Sequence, residues 1–109
     1  MSDTVRWMSV CRDDEICVRQ ARVLARLHGD IALFRGEDGR LFAIDDRCPH
    51  RGARLSNGAV YEVDKVACAD HGWTICLADG QVLPPDQGCV RTYPVKVEAG
   101  VIYVQIRSD

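Results

Sequence analysis

Ile31-Ala32-Leu33-Phe34-Arg35, Gly36-Glu37-Asp38-Gly39 and Arg40-Leu41-Phe42-Ala43-Ile44 follow one another as two apolar segments about a Gly-bounded four-residue turn. That arrangement predicts a β-hairpin. Tyr93-Pro94-Val95-Lys96-Val97, then Glu98-Ala99-Gly100, then Val101-Ile102-Tyr103-Val104-Gln105-Ile106 predicts a second hairpin, rich in β-branched residues and with a Gly able to take positive φ. Thr4 to Cys11 reads as a first strand. Val18 to Leu27 is ambiguous: Ala21, Val23, Ala25 and Leu27 alternate with Arg22 and Arg26, while the Leu and Arg content also suits a helix. The His28-Gly29-Asp30 turn leading straight into Ile31 favours a strand. Arg19, Arg22 and Arg26 would then form a solvated strand face. From Asp45 to about Pro85, Cys, His, Gly and Pro replace regular alternation, the mark of a loop-built site within an all-β scaffold.

Composition narrows the function classes. At 109 residues the chain has the size of one domain, taken as 1–109. With 47% hydrophobic and 28% charged residues, no tract is polar or repetitive enough to remain disordered, and only Arg107 to Asp109 reads as a tail. A formal charge of −2 argues against nucleic acid, since Arg47, Arg51 and Arg54 are offset by Asp45, Asp46 and Asp70. No apolar run approaches the roughly 20 residues needed to span a bilayer. Met1-Ser2-Asp3-Thr4 lacks the features of a signal peptide. A cytoplasmic location is therefore expected, and in a reducing compartment six cysteines point to thiols or metal ligands rather than disulfides.

Within the irregular stretch lie Cys48-Pro49-His50 and Cys68-Ala69-Asp70-His71, separated by the seventeen residues Arg51 to Ala67. Each half offers one thiolate and one imidazole. A Cys-x-His pair is too close for both side chains to chelate one tetrahedral ion comfortably, but suits two adjacent irons sharing bridging sulfides. Zinc accepts the same Cys₂His₂ set, although its usual spacings are Cys-x₂₋₄-Cys and His-x₃₋₅-His. Replacing two of four thiolates by neutral imidazoles raises a [2Fe–2S] potential to about −150 to +300 mV, from about −400 mV in plant-type ferredoxins. Cys11, Cys17, Cys76 and Cys89 read as small core or surface thiols. His28 reads as a turn residue, and Trp73 as packing that would also shield the site.

The four-residue pattern, with Gly52 and His71-Gly72-Trp73, resembles the Rieske motif. That resemblance implies an antiparallel β-sandwich or barrel with an inserted cluster-binding subdomain, about residues 45–85, made of two ligand loops. It implies a [2Fe–2S] cluster, with Cys48 and Cys68 on the buried iron. His50 and His71 would hold the outer iron, their free ring edges forming the electron exit. Pro49 would stiffen the first loop, Gly52 would allow close backbone approach, and amides of Arg51 to Ala53 and Asp70 to Trp73 would donate to the sulfurs. Such donors tune the potential.

Departures from the respiratory branch are informative. Ala53 and Asp70 occupy the positions of its cross-cluster disulfide, and Trp73 and Ile75 replace its Ser and Tyr sulfur donors. Fewer hydroxyl donors stabilise the reduced cluster less, so the lower part of the Rieske range is expected. Ala69 stands where many relatives have Pro, leaving the second loop less rigid. Ile31 to Arg35, Asp45 to Ala53, and Gly88-Cys89-Val90-Arg91-Thr92-Tyr93-Pro94-Val95-Lys96-Val97-Glu98 resemble the small subunit of assimilatory NAD(P)H-dependent nitrite reductase. This implies an electron relay or adaptor for a large subunit with flavin, sirohaem and a [4Fe–4S] centre that reduces nitrite to ammonium. The alternative is a stand-alone ferredoxin serving a ring-hydroxylating oxygenase or another redox enzyme. The chain itself has no G-x-G-x-x-G at a strand-to-helix turn, no P-loop and no acid/base pair outside the ligand loops that reads as catalytic.

Overall fold

The run from Ile31 to Phe34 is buried at every position. A strand covered on one face alternates, so four successive buried apolar residues require cover on both. The computed structural model, which describes residues 4–27, 29–49, 52–69 and 72–108, provides that cover. Its strands are β1 (Thr4–Arg12), β2 (Ala21–Leu24), β3 (Ile31–Arg35), β4 (Leu41–Asp45), β5 (Ala59–Tyr61), β6 (Lys65–Ala67), β7 (Thr74–Cys76), β8 (Thr92–Tyr93), β9 (Val95–Glu98) and β10 (Val101–Ser108). They form three antiparallel sheets, ordered β2-β3-β4-β8, β1-β10-β9 and β5-β6-β7. Ala32 and Phe34 share one core with Ile44, Leu55, Val66 and Ile75. Ile31 and Leu33 share a second with Ala43, Ile102, Val104 and Ile106. The central sheet is thus the middle layer.

The first expected hairpin forms with its first strand as read and its second displaced by one residue, Ile31 lying opposite Asp45 and Arg35 opposite Leu41. Its turn closes through the Gly36 amide to the Arg40 carbonyl at 2.8 Å. In the second, Pro94 divides the expected strand. Thr92 and Tyr93 pair with Ile44 and Ala43, whereas Val95–Glu98 pairs with β10. Proline has no amide to donate, so the ladder breaks there and the chain passes between sheets. The turn into β10 uses positive φ at both Ala99 and Gly100, the combination of a type I′ turn.

Three expectations require correction. The predicted strand Val18–Leu27 is reduced to Ala21–Leu24, because residues 18–19 form a turn with Arg19 at φ 68°. Its alternation fails as well: Val23 and Leu27 are exposed, while Arg26 is half-buried with its guanidinium on the Met8 sulfur. Arg19 belongs to the turn and pairs with Glu37, which leaves Arg22 as the solvated strand arginine. The predicted tail from Arg107 begins too early, since β10 continues to Ser108 opposite Thr4. The irregular 45–85 stretch contains its own sheet, β5-β6-β7, whose three-residue strands are too short to display alternation. Among the described residues, no helix is long and apolar enough to cross a membrane. His28 lies outside them.

Tyr93 ties β8 to β4 by donating its hydroxyl to the Asp45 carboxylate. Burial, with that hydrogen bond and the Asp45 charge, pushes the hydroxyl from 10.0 up to about 12. The folded protein therefore keeps the proton over a range where the unfolded chain has begun to lose it. The resulting stability is fully present below pH 10 and is lost as pH rises through about 12. Tyr93→Phe is expected to cost about 1 kcal/mol at neutral pH and to flatten the decline between those values, as measured by urea unfolding across alkaline pH.

Candidate metal centre

Cys48 and Cys68 lie at matched places in two loops. In the first, the Cys48 amide donates to the Ala53 carbonyl at 2.7 Å and the Gly52 amide to the Cys48 carbonyl at 2.8 Å. In the second, the Cys68 amide donates to the Trp73 carbonyl at 2.7 Å and the Gly72 amide to the Cys68 carbonyl at 2.9 Å. Gly52 and Gly72 take φ of 76° and 72°, the left-handed region an L side chain rarely enters. The bonding scheme is identical. The amides of Gly52 and Gly72 thereby close the two loops.

Cys48 is 1% and Cys68 2% exposed, and both belong to the core containing Phe34 and Ile44. Trp73 and Ala53 pack against that core. His50 and His71 lie outside the described residues, as do Arg51 and Asp70. In sequence both histidines fall inside the closed loops, between each cysteine and its glycine. Two buried thiols on equivalent backbone, each followed by a histidine, suit a centre that takes one thiolate and one imidazole from each side.

Close packing at two glycines seats the loops. Gly58 follows the 3₁₀ turn Leu55–Asn57, and a Cβ there would stand 2.2 Å from the Ala67 carbonyl oxygen, one residue before Cys68. Further along, Gly88 faces the Pro49 ring, where a Cβ would lie 3.4 Å from Cγ. Neither contact was recognised in the sequence, where Ser56-Asn57-Gly58 and Gly88 signal only turns.

The ends of the two loops are held differently. Ala67 pairs with Thr74 across the second, whose Oγ1 also lies 2.7 Å from the Tyr61 hydroxyl. At the first, Asp46 is the buried charged residue among those described. Its carboxylate accepts from Arg54 Nη1 at 2.8 Å, the Ser56 amide at 2.7 Å and Ser56 Oγ at 2.8 Å. Arg54 Nη2 reaches Asp30 Oδ2 at 2.8 Å, and this hydrogen bond holds the Asp30 carboxyl below its usual range.

The remaining thiols are half-buried or exposed. Burial raises Cys76 and Cys11 above the ordinary thiol value, which keeps them protonated at neutral pH. Cys17 and Cys89 are exposed thiols outside disulfides.

Residues 6–94 match the family model described as the Rieske [2Fe-2S] domain. The 3-phenylpropionate/cinnamic acid dioxygenase ferredoxin subunit of Photorhabdus laumondii is 41% identical over 81 residues, covering 73% of this chain and 76% of that protein. The chain spans less than a third of several longer curated relatives. Among solved structures, a candidate NADH-dependent nitrite reductase small subunit from Mycobacterium tuberculosis superposes with a TM-score of 0.86 at 26% identity, covering 98% of this chain and 100% of that one. The ferredoxin–oxygenase complex of carbazole 1,9a-dioxygenase gives a TM-score of 0.82 at 27% identity, with coverage of 90% and 91%.

Gly58→Ala tests the spacing between the loops. Overpacking against a fixed carbonyl is expected to cost about 1–3 kcal/mol, and in the metal-free protein to raise the reactivity of Cys68 toward a thiol reagent. Thermal unfolding and thiol titration measure the two effects.

Proposed function

This chain belongs to the Rieske [2Fe–2S] domain family, and on that premise we propose that Cys48, His50, Cys68 and His71 hold its cluster and that the protein relays single electrons within a nitrite reductase. When bound, a [2Fe–2S] cluster supplies a one-electron couple, whose potential depends on ligand charge and on hydrogen bonds to sulfur. The burial of Cys48 and Cys68 supports their assignment to the inner iron. His50 and His71, two and three residues further along, would complete the outer iron and face the partner. In this reading 1–109 is a single domain.

The observation that carries the nitrite reductase assignment is end-to-end correspondence with the mycobacterial small subunit, 98% of this chain against 100% of that one. The Thr92-Tyr93-Pro94 passage between sheets supports it, because that run carries the sequence resemblance. The partner would be a large subunit bearing flavin, sirohaem and a [4Fe–4S] centre, in the cytoplasm. The 41% identity to a dioxygenase ferredoxin subunit favours a second reading, delivery of electrons to a ring-hydroxylating oxygenase. The two separate in reconstitution. Under the first, adding this chain to the nitrite reductase large subunit increases nitrite-dependent NAD(P)H oxidation; stimulation of an oxygenase instead would establish the second.

The ligand set has its own test. Purified protein is expected to contain iron and acid-labile sulfide in equal amounts and to give a Rieske-type EPR signal on reduction. His50→Ala and His71→Ala should each abolish it, whereas Cys76→Ala should retain it. Zinc without sulfide, or bleaching by Cys76→Ala, would refute the assignment.

A further inference from the structure

The two loops share a backbone hydrogen-bond scheme but differ in what holds their ends. Ala67 and Thr74 are strand partners, so the second loop is the tip of a hairpin. The first loop leaves β4 after Asp45 and enters a 3₁₀ turn at Leu55, so Asp46 and Arg54 at its two ends are not strand partners of each other. Without a ladder, the backbone around Cys48 needs another closure, or the entropy of an open loop would oppose a fixed metal geometry.

Asp46 stands where that closure is required. Its side chain is fully buried, and three donors from the far end of the loop converge on it: Arg54 Nη1 and the amide and hydroxyl of Ser56. The Asp46 amide donates to the Asp30 carbonyl at 2.9 Å, and the second arm of Arg54 reaches the Asp30 carboxylate. Asp30 in turn accepts from the Arg26 amide at 3.1 Å. One guanidinium therefore spans two carboxylates, a fork geometry that lysine does not reproduce. The network joins both ends of the first loop to the turn between β2 and β3.

We propose that Asp46, through Arg54 and Ser56, is the positioning residue of the first ligand loop and performs there the role that strand pairing performs for the second. This rests on the ligand assignment above, but its principal readout is independent of that assignment. Hydrogen exchange of the holoprotein, followed by mass spectrometry, compares the segment 46–56 with the segment 66–76. Asp46→Asn leaves Arg54 and Ser56 facing a weaker, partly mismatched acceptor, so exchange in 46–56 is expected to accelerate about tenfold, with 66–76 unchanged. Ser56→Ala removes one bond and no charge, and should accelerate 46–56 to a smaller extent without moving the midpoint potential.

The potential provides a signature that loss of folding stability alone does not produce. Removing the negative charge in Asp46→Asn favours the added electron and shifts the midpoint potential upward, whereas removing the positive charge in Arg54→Gln shifts it downward, although both loosen the same loop. Should Asp46→Asn fail to fold, Ser56→Ala and Arg54→Gln carry the comparison. Unchanged exchange in 46–56, equal acceleration of both segments, or potential shifts of the same sign would each overturn the proposal. If His50→Ala kept the cluster, the ligand reading would fail while the exchange result still judged the clamp.

Discussion

The burial of Ile31–Phe34 on both faces is the constraint from which the remaining architecture follows. Ile31 and Leu33 require the β1-β10-β9 sheet, while Ala32 and Phe34 require the layer containing the loops and β5-β6-β7. Each large apolar side chain so covered contributes roughly 1.5–3 kcal/mol. The loops are therefore part of the protein's packing, and the burial that stabilises Phe34 also fixes Cys48 and Cys68 in the same core. Scaffold and site are stabilised by one set of contacts.

The site solves a single backbone problem twice by different means. Both loops fold their cysteine amide onto the carbonyl five residues later and use a glycine with positive φ to turn. The second inherits its closure from β6 and β7. The first connects the five-residue β4 to a 3₁₀ turn and is closed by charge-assisted hydrogen bonds on a buried carboxylate. Burial strengthens those bonds and makes their loss costly, because a carboxylate without partners in the core has no solvent to replace them. Gly58 then sets how closely the first loop's exit approaches the second loop's start.

What the sequence made legible follows the range of the interactions. The Ile31–Ile44 hairpin was readable because its strands are long enough to show a pattern and its turn residues are local. The β5-β6-β7 sheet was not, since strands of three residues carry no periodicity and are held by neighbours. Val18–Leu27 misled because its apolar and basic residues alternate, yet Arg19 turns the backbone and Leu27 is left almost fully exposed. The Cys-x-His and Cys-x-x-His spacing in the sequence carries the ligand proposal; the structure describes its two cysteines, buried in one core, while the two histidines lie outside the described residues. The cancelling charges of Arg54 and Asp46 could be counted from the sequence. That Arg54 also reaches Asp30, 24 residues away, could not, because nothing local marks that pairing.

The run that carries the resemblance to nitrite reductase small subunits is physically continuous with the site. Thr92 pairs with Ile44, the Asp45 amide donates to the Arg91 carbonyl at 3.0 Å, and Tyr93 donates to the Asp45 side chain. The next residue is Asp46. The Arg91–Tyr93 segment thus braces the last residue before the first loop, and Pro94 sends the chain from that brace into the sheet on the opposite side. A change in this run would therefore reach Asp46 through one peptide unit and Cys48 through three. Relatives with the same ligand spacing can in this way differ in how firmly the first loop is seated, without any change to the ligands themselves.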